Sequence, residues 1–312
     1  SEYLEVQLPL DLRMKLKTPI FSTHYLADNQ DILNPINDSD NVNFHYVYDI
    51  YRKLGFIFEP SMTANMARLW TGDLYEERIW ETMKPKELFR GESSGLMAYK
   101  AEDIYFTLFN GLHGSAHGHA STGGFTLQLQ GDDLFSDSGR YSYVNKSERL
   151  QLKECASHNT MFIAENPHTL VSDTWGYDKL PTPLFQQIKE LSVGFFAECG
   201  WLDKADQNPM IFERSFIYLK SINSVVIIDS FAGQKETEIT STYNLAPSIN
   251  CQKEAHRFAL TTNKHKYTLL FAGGQTQQSV AKGSEIYNQL NEHPRLSNKF
   301  CYKTGKEIQA TV

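Results

Sequence analysis

Two stretches decide the fold class: Ile104-Tyr105-Phe106-Thr107-Leu108-Phe109, and beyond it Phe125-Thr126-Leu127-Gln128-Leu129-Gln130. In the second, Phe125, Leu127 and Leu129 alternate with polar neighbours, the period of two expected of an antiparallel strand buried on one face. Before Phe89-Arg90-Gly91-Glu92-Ser93-Ser94-Gly95 the period is helical. Phe44, Val47, Tyr48, Tyr51 and Leu54 share one helix face and Gly55 supplies a stop. Ser61 precedes Met62, Met66, Leu69 and Trp70, with Gly72 after them, and Asp73 caps a third pattern of Leu74, Ile79, Trp80 and Met83 that Pro85 ends. Three helices with this much aromatic surface do not close a bundle of their own, so they read as the end of a larger helical array or as a buttress. Downstream, residues 211–219 and 224–229 flank Lys220-Ser221-Ile222-Asn223 as a hairpin, and 267–272 is another apolar run. The fold is therefore read as α+β: a helical segment over 1–90, then a large antiparallel β-sandwich over 91–312. The long loop 166–183, with its Pro, Asp and Trp residues, reads as a functional rim.

At 312 residues and 41% hydrophobic content the chain can bury a sizeable core. A formal charge of −7 argues against nucleic acid as a partner, while leaving room for a local basic cleft. The 19 Phe and 16 Tyr suit strands and also suit sugar-stacking surfaces. Cys155, Cys199, Cys251 and Cys301 are widely spaced, without a metal or disulfide pattern, and read as free thiols. No stretch approaches the roughly 20 apolar residues of a membrane span. Residues 1–10 read as the interior of a domain, so an upstream portion is expected; nothing fixes the compartment, with periplasm or cell exterior favoured.

Three of the ten histidines fall within Leu112-His113-Gly114-Ser115-Ala116-His117-Gly118-His119. In extended backbone His117 and His119 project from one face, and Gly118 permits close approach. Asp137 stands before a turn in Phe135-Ser136-Asp137-Ser138-Gly139, and His158 opens a new strand in Cys155-Ala156-Ser157-His158-Asn159-Thr160. Two imidazoles and a carboxylate form a sound ligand set for zinc, with one position left over. Any one of these histidines taken alone is more often structural than functional.

The ordered set resembles the heparinase II/III family of polysaccharide lyases, whose members include alginate and other uronate lyases. The resemblance rests on His117-Gly118-His119-Ala120 leading to Phe125, on Asp137-Ser138-Gly139, and on Ser157-His158-Asn159-Thr160. It continues in Arg214, Val225-Val226-Ile227-Ile228-Asp229 and Tyr243-Asn244-Leu245-Ala246-Pro247, and reaches back to Pro35-Ile36-Asn37-Asp38-Ser39-Asp40. It implies an incomplete α/α toroid packed on an antiparallel β-sandwich, with the substrate cleft between them. It also implies that His119, Asp137 and His158 hold a zinc of mainly structural role and that His117 faces the substrate. Ser121 stands where many relatives carry an acid, which puts the local loop geometry in question.

The implied chemistry is β-elimination at a uronic acid of an acidic polysaccharide such as alginate or a glycosaminoglycan. The uronate carboxylate must be neutralised, the C5 proton removed and the departing O4 protonated. His117 is the candidate base or carboxylate contact, since imidazole titrates near neutral pH. Tyr141 and Tyr143 are candidate acids, His113 a candidate cleft residue, and Arg140 and Arg149 candidate carboxylate partners. The family's catalytic Tyr and its uronate-binding Asn or His lie upstream of the matched motifs, so this stretch is expected to be catalytically incomplete. A non-catalytic carbohydrate-binding or assembly protein with the same fold and metal is the alternative, and a zinc hydrolase a third reading.

Overall fold

The computed structural model describes residues 9–34, 36–53, 56–58, 81–113, 117–204, 209–303 and 305–312. Helix α1 spans Leu10–Thr23 and α2 spans His45–Lys53. As the spacing predicts, α2 turns Tyr48 and Tyr51 inward, against a small core of Ile20, Phe56 and Met83. The expected helix over 61–72 and most of the next lie outside the described residues. Met83 is the exception, and it is not helical. Strands β1 (Phe56–Phe58) and β2 (Glu81–Met83) pair in parallel with Phe58 opposite Met83, which is only 2% exposed. Strand pairing that buries Met83 beside Ile20 and Phe56 overrides the local helical period. No described helix is long and apolar enough to cross a membrane.

The sandwich sheets begin at β3 (Leu88–Arg90), inside the segment read as helical. It pairs with β4 (Leu96–Ala101), followed by β5 (Ile104–Phe109), β6 (Gly124–Leu129) and β7 (Asp132–Phe135) in one five-stranded antiparallel sheet. Strand β6 departs from the expected half-burial, because all six of its residues are buried. Its polar face is covered by the loop after α1. Asn34 Nδ2 donates to Thr126 Oγ1 at 2.5 Å, Gln128 Nε2 donates to Asp28 Oδ2 at 3.1 Å, and Tyr105 Oη donates to the Tyr25 carbonyl at 2.8 Å. Alternation thus distinguishes an apolar interface from a hydrogen-bonded one, both shielded from water.

After β7 the chain forms a short helix α3 (Ser147–Lys153) and strands β8 (Met161–Ile163), β9 (Leu170–Val171) and β10 (Tyr177–Lys179). Then come β11 (Thr182–Leu191), β12 (Gly194–Asp203), β13 (Met210–Leu219), β14 (Ser224–Gly233) and β15 (Thr237–Asn244). The remaining strands are β16 (Asn250–Glu254), β17 (Arg257–Thr261), β18 (Lys266–Ala272), β19 (Gln275–Gly283), β20 (Asn291–Tyr302) and β21 (Gly305–Thr311). The large sheet runs β11-β12-β13-β14-β21-β18-β17-β16, and a smaller one runs β19-β20-β15-β8. The hairpin expected at 220–223 is present: a 3₁₀ turn ends in Asn223 at φ 46°, and β13 pairs antiparallel with β14.

Aromatic side chains hold the layers together. Phe106 of β5 lies 4.9 Å from Phe195 of β12 and 4.8 Å from Phe216 of β13, ring centre to ring centre, while Phe231 of β14 meets Phe300 of β20 at 6.1 Å. One continuous core joins the five-stranded, large and smaller sheets, as a β-sandwich requires. Within it lies a buried polar clamp. Arg214 donates to both carboxylate oxygens of Asp229, at 2.6 and 2.8 Å, and to the Asn159 carbonyl at 2.6 Å. Asn159 in turn donates to the Phe125 and Ser136 carbonyls and accepts from the Asn244 amide. The clamp therefore ties β6, the end of β7, β13, β14 and β15 to the segment that carries His158.

Candidate metal centre and active site

Asp137 follows β7, where Gly139 at φ 68° turns the chain; a Cβ at Gly139 would lie 1.8 Å from the Ser284 carbonyl oxygen. His158 leaves the 3₁₀ turn Cys155–Ser157, and its carbonyl accepts from Thr242 Oγ1 at 2.6 Å. His119 lies in the segment between β5 and β6, its amide donating to Asn37 Oδ1. One donor atom from each of His119, Asp137 and His158 lies within 4.8 Å of the other two. Both histidines are fully buried.

The electrostatics leave His119 and Asp137 in ligand form. Burial pushes His119 down to about 4, against the hydrogen bond it donates to Asp38, so it is neutral at pH 7. Burial alone would raise the Asp137 carboxyl, but His158, His119 and the Gly139 amide hold it below the usual range. His119 Nε2 is 2.7 Å from Asp38 Oδ1, which leaves Nδ1 buried without a hydrogen-bond partner. His158 offers Nδ1, 3.0 Å from Asp137 Oδ2, or its buried and unpartnered Nε2. Unsatisfied buried ring nitrogens beside a carboxylate fit a divalent metal of the zinc type.

Asp38 is the organising residue of the site, and sequence reasoning assigned it no role. Burial would raise its carboxyl, but hydrogen bonds from His119 and Arg149 hold it at about 2. Arg149 binds both carboxylate oxygens of Asp38, one of them at 2.8 Å, and Nδ1 of His117 lies 3.1 Å from the same group. The two histidines converge as the extended reading predicts, yet they differ in exposure: the His117 side chain is 59% accessible and His119 is fully buried. Ser121 donates to Asn37 Oδ1 at 2.7 Å, so it supports the same loop. The available signal was the loop Pro35–Asp40 itself, of which Asn37, Asp38 and Asp40 all reach across to the sandwich.

The other candidates are placed as follows. Arg140 binds Asp40 through two nitrogens and donates to Tyr143 Oη, so its charge is already met. Tyr141, at φ 57°, takes part through its carbonyl, which accepts from the Asn288 amide; Tyr143 is the tyrosine beside His117. His113 packs 4.7 Å from Tyr177, its Nε2 buried and unpartnered, and burial lowers it to about 4. All four cysteines are free, and Cys155 lies 3.6 Å from His168 Nε2, with burial pushing the thiol up to about 12. That pair is neutral and enclosed, and neither residue is one of the three candidate ligands.

The family described as Heparinase II/III-like, C-terminal, matches residues 83–309. No curated protein matches the sequence. Among solved structures, heparan sulfate lyase HepC from Pedobacter heparinus aligns with a TM-score of 0.72 at 12% identity, covering 97% of this chain and 47% of that one. A heparinase III gene product aligns at 0.73 and 15% identity over 97% and 47%, and a second heparinase III at 0.70 and 13% over 97% and 49%. At these identities the likeness is one of fold, and the chain spans about half the length of the structures it matches. With the family match running from β2 to β21, the chain belongs to the heparinase II/III-like family, whose C-terminal β-sandwich domain it carries.

Proposed function

We propose that this chain is the sandwich half of a polysaccharide lyase that cleaves a uronate-containing acidic polysaccharide by β-elimination, its N-terminal residues closing the end of an α/α toroid. The observation that carries the reading is His117, exposed beside the buried His119, Asp137 and His158 in a chain of this family. Asp38 is ionised and can only accept, so His117 Nδ1 carries the proton shared with it. In the neutral imidazole Nε2 is then the lone-pair nitrogen, suited to take the C5 proton; in the imidazolium it would donate to the uronate carboxylate. Arg149, through Asp38, keeps that orientation fixed. A zinc held by His119, Asp137 and His158 would supply a fixed positive charge that locks the three loops together. The remaining groups for neutralising the carboxylate and protonating O4 are assigned to residues upstream of the matched motifs.

The test is incubation of the full-length protein with a panel of uronate polymers, following the ultraviolet absorbance of the unsaturated product. His117→Ala is expected to abolish that signal while leaving metal content unchanged. Binding with no unsaturated product from any polymer would replace the lyase with a non-catalytic carbohydrate-binding or assembly protein. New reducing ends without unsaturation would indicate hydrolysis.

A further inference from the structure

Beside His117 stands a group of exposed and half-buried rings that takes no part in the metal centre. Trp175, 45% exposed, stacks on Tyr143 with ring centres 5.2 Å apart and planes at 25°. His117 meets Trp175 edge-on at 5.5 Å and Tyr143 at 5.6 Å. Tyr287, 40% exposed, lies 6.1 Å beyond Tyr143, and the Arg140 guanidinium sits over both tyrosine rings at 5.0 and 4.7 Å.

The turn that carries Trp175 is held by polar contacts, not by burial of the indole. Asp173 Oδ1 accepts from the Trp175 and Gly176 amides at 2.6 and 2.7 Å, and Lys153 Nζ donates to the Thr174 carbonyl at 2.6 Å. Tyr177 Oη donates to the carbonyl of Gly118, between His117 and His119. The indole is thus fixed relative to His117 while much of it remains in water. An exposed tryptophan on a fixed turn, backed by a second ring, is preorganised for a flat partner. Asp40 balances Arg140, so this shelf offers apolar area with a polar rim instead of net charge. That combination fits the C–H face of a pyranose ring.

We propose that Trp175, backed by Tyr143, is a stacking subsite for one sugar ring of the saccharide chain, next to the ring that reaches His117. The identity of that chain as a uronate polymer rests on the lyase reading; the stacking itself does not.

The experiment is calorimetric titration of the full-length protein with tetrasaccharides from each polymer of the uronate panel at low and high salt, in wild type, Trp175→Ala and Trp175→Tyr. Trp175→Ala is expected to weaken binding about tenfold, the scale of one aromatic stacking contact, with its melting temperature unchanged. Trp175→Tyr should recover most of the affinity, and the loss should be the same at both salt concentrations because stacking is not screened. Unchanged affinity in Trp175→Ala, or a loss seen only at low salt, overturns the subsite. If Trp175→Ala loses binding but no uronate polymer yields unsaturated product, the subsite stands and the lyase reading falls. If the wild type binds none of the tetrasaccharides, both fall.

Discussion

Asp38 Oδ1 and His119 Nε2 meet at 2.7 Å across 81 positions of sequence, and this contact couples the N-terminal segment to the candidate metal centre. It fixes which nitrogen of His119 faces the other ligands. It also places one buried carboxylate against Arg149, which is itself fully buried.

Asp38→Ala should therefore be strongly destabilising. It strands the Arg149 charge, a change that typically costs about 3–5 kcal/mol when one partner of a buried ion pair is removed. It also releases the ring of His119, with an expected loss of about 10–100-fold in metal affinity. Chemical denaturation and metal titration check the two effects separately. Asp38→Asn, which keeps the shape and one acceptor, should fall between Ala and wild type.

The clamp inside the sandwich gives a second case. Asp229 accepts from Arg214 through both oxygens, and Ser241 Oγ donates to it at 2.9 Å. Asp229→Ala should cost about 3–5 kcal/mol for the same reason, read by urea denaturation. Because Arg214 also holds the Asn159 carbonyl next to His158, this variant should lose metal affinity as well. A fully stable Asp229→Ala would mean that the clamp does not organise the segment carrying His158.

His168 supplies a pH dependence. Burial is the main cause that lowers its pKa to about 3, from 6.5 for an exposed imidazole. Between those values the unfolded chain binds a proton that the folded chain does not. Stability from this residue is therefore fully present above about pH 6.5 and is lost as pH falls toward 3. His168→Gln should reduce the proton uptake on unfolding at pH 5 by about one, measured from the pH dependence of denaturation midpoints. An unchanged uptake would show that His168 is already charged in the folded protein.

These residues also show what sequence can reveal. The hairpin around Asn223 and the alternation of β6 were legible because both depend on local chemistry: a left-handed turn residue and a period of two. The grouping of His119, Asp137 and His158 was legible only through the ordered motifs, since no single spacing brings them together. Asp38 was not assigned because its role depends on a loop crossing to the sandwich, a contact without a local period. Gln128 misled for a related reason: a polar side chain marks a strand face as solvent-exposed unless a distant partner, here Asp28, covers it. Met83 was read as helical because its pairing with Phe58 is likewise tertiary.

Elemental analysis of the purified protein decides whether His119, Asp137 and His158 bind one divalent metal. About one equivalent of zinc is expected in the wild type, with loss of that zinc in His119→Ala and Asp137→Ala and a lower melting temperature on chelation. Folded wild-type protein that takes up no metal even when zinc is supplied, and whose melting temperature a chelator leaves unchanged, would contradict metal binding by these three residues.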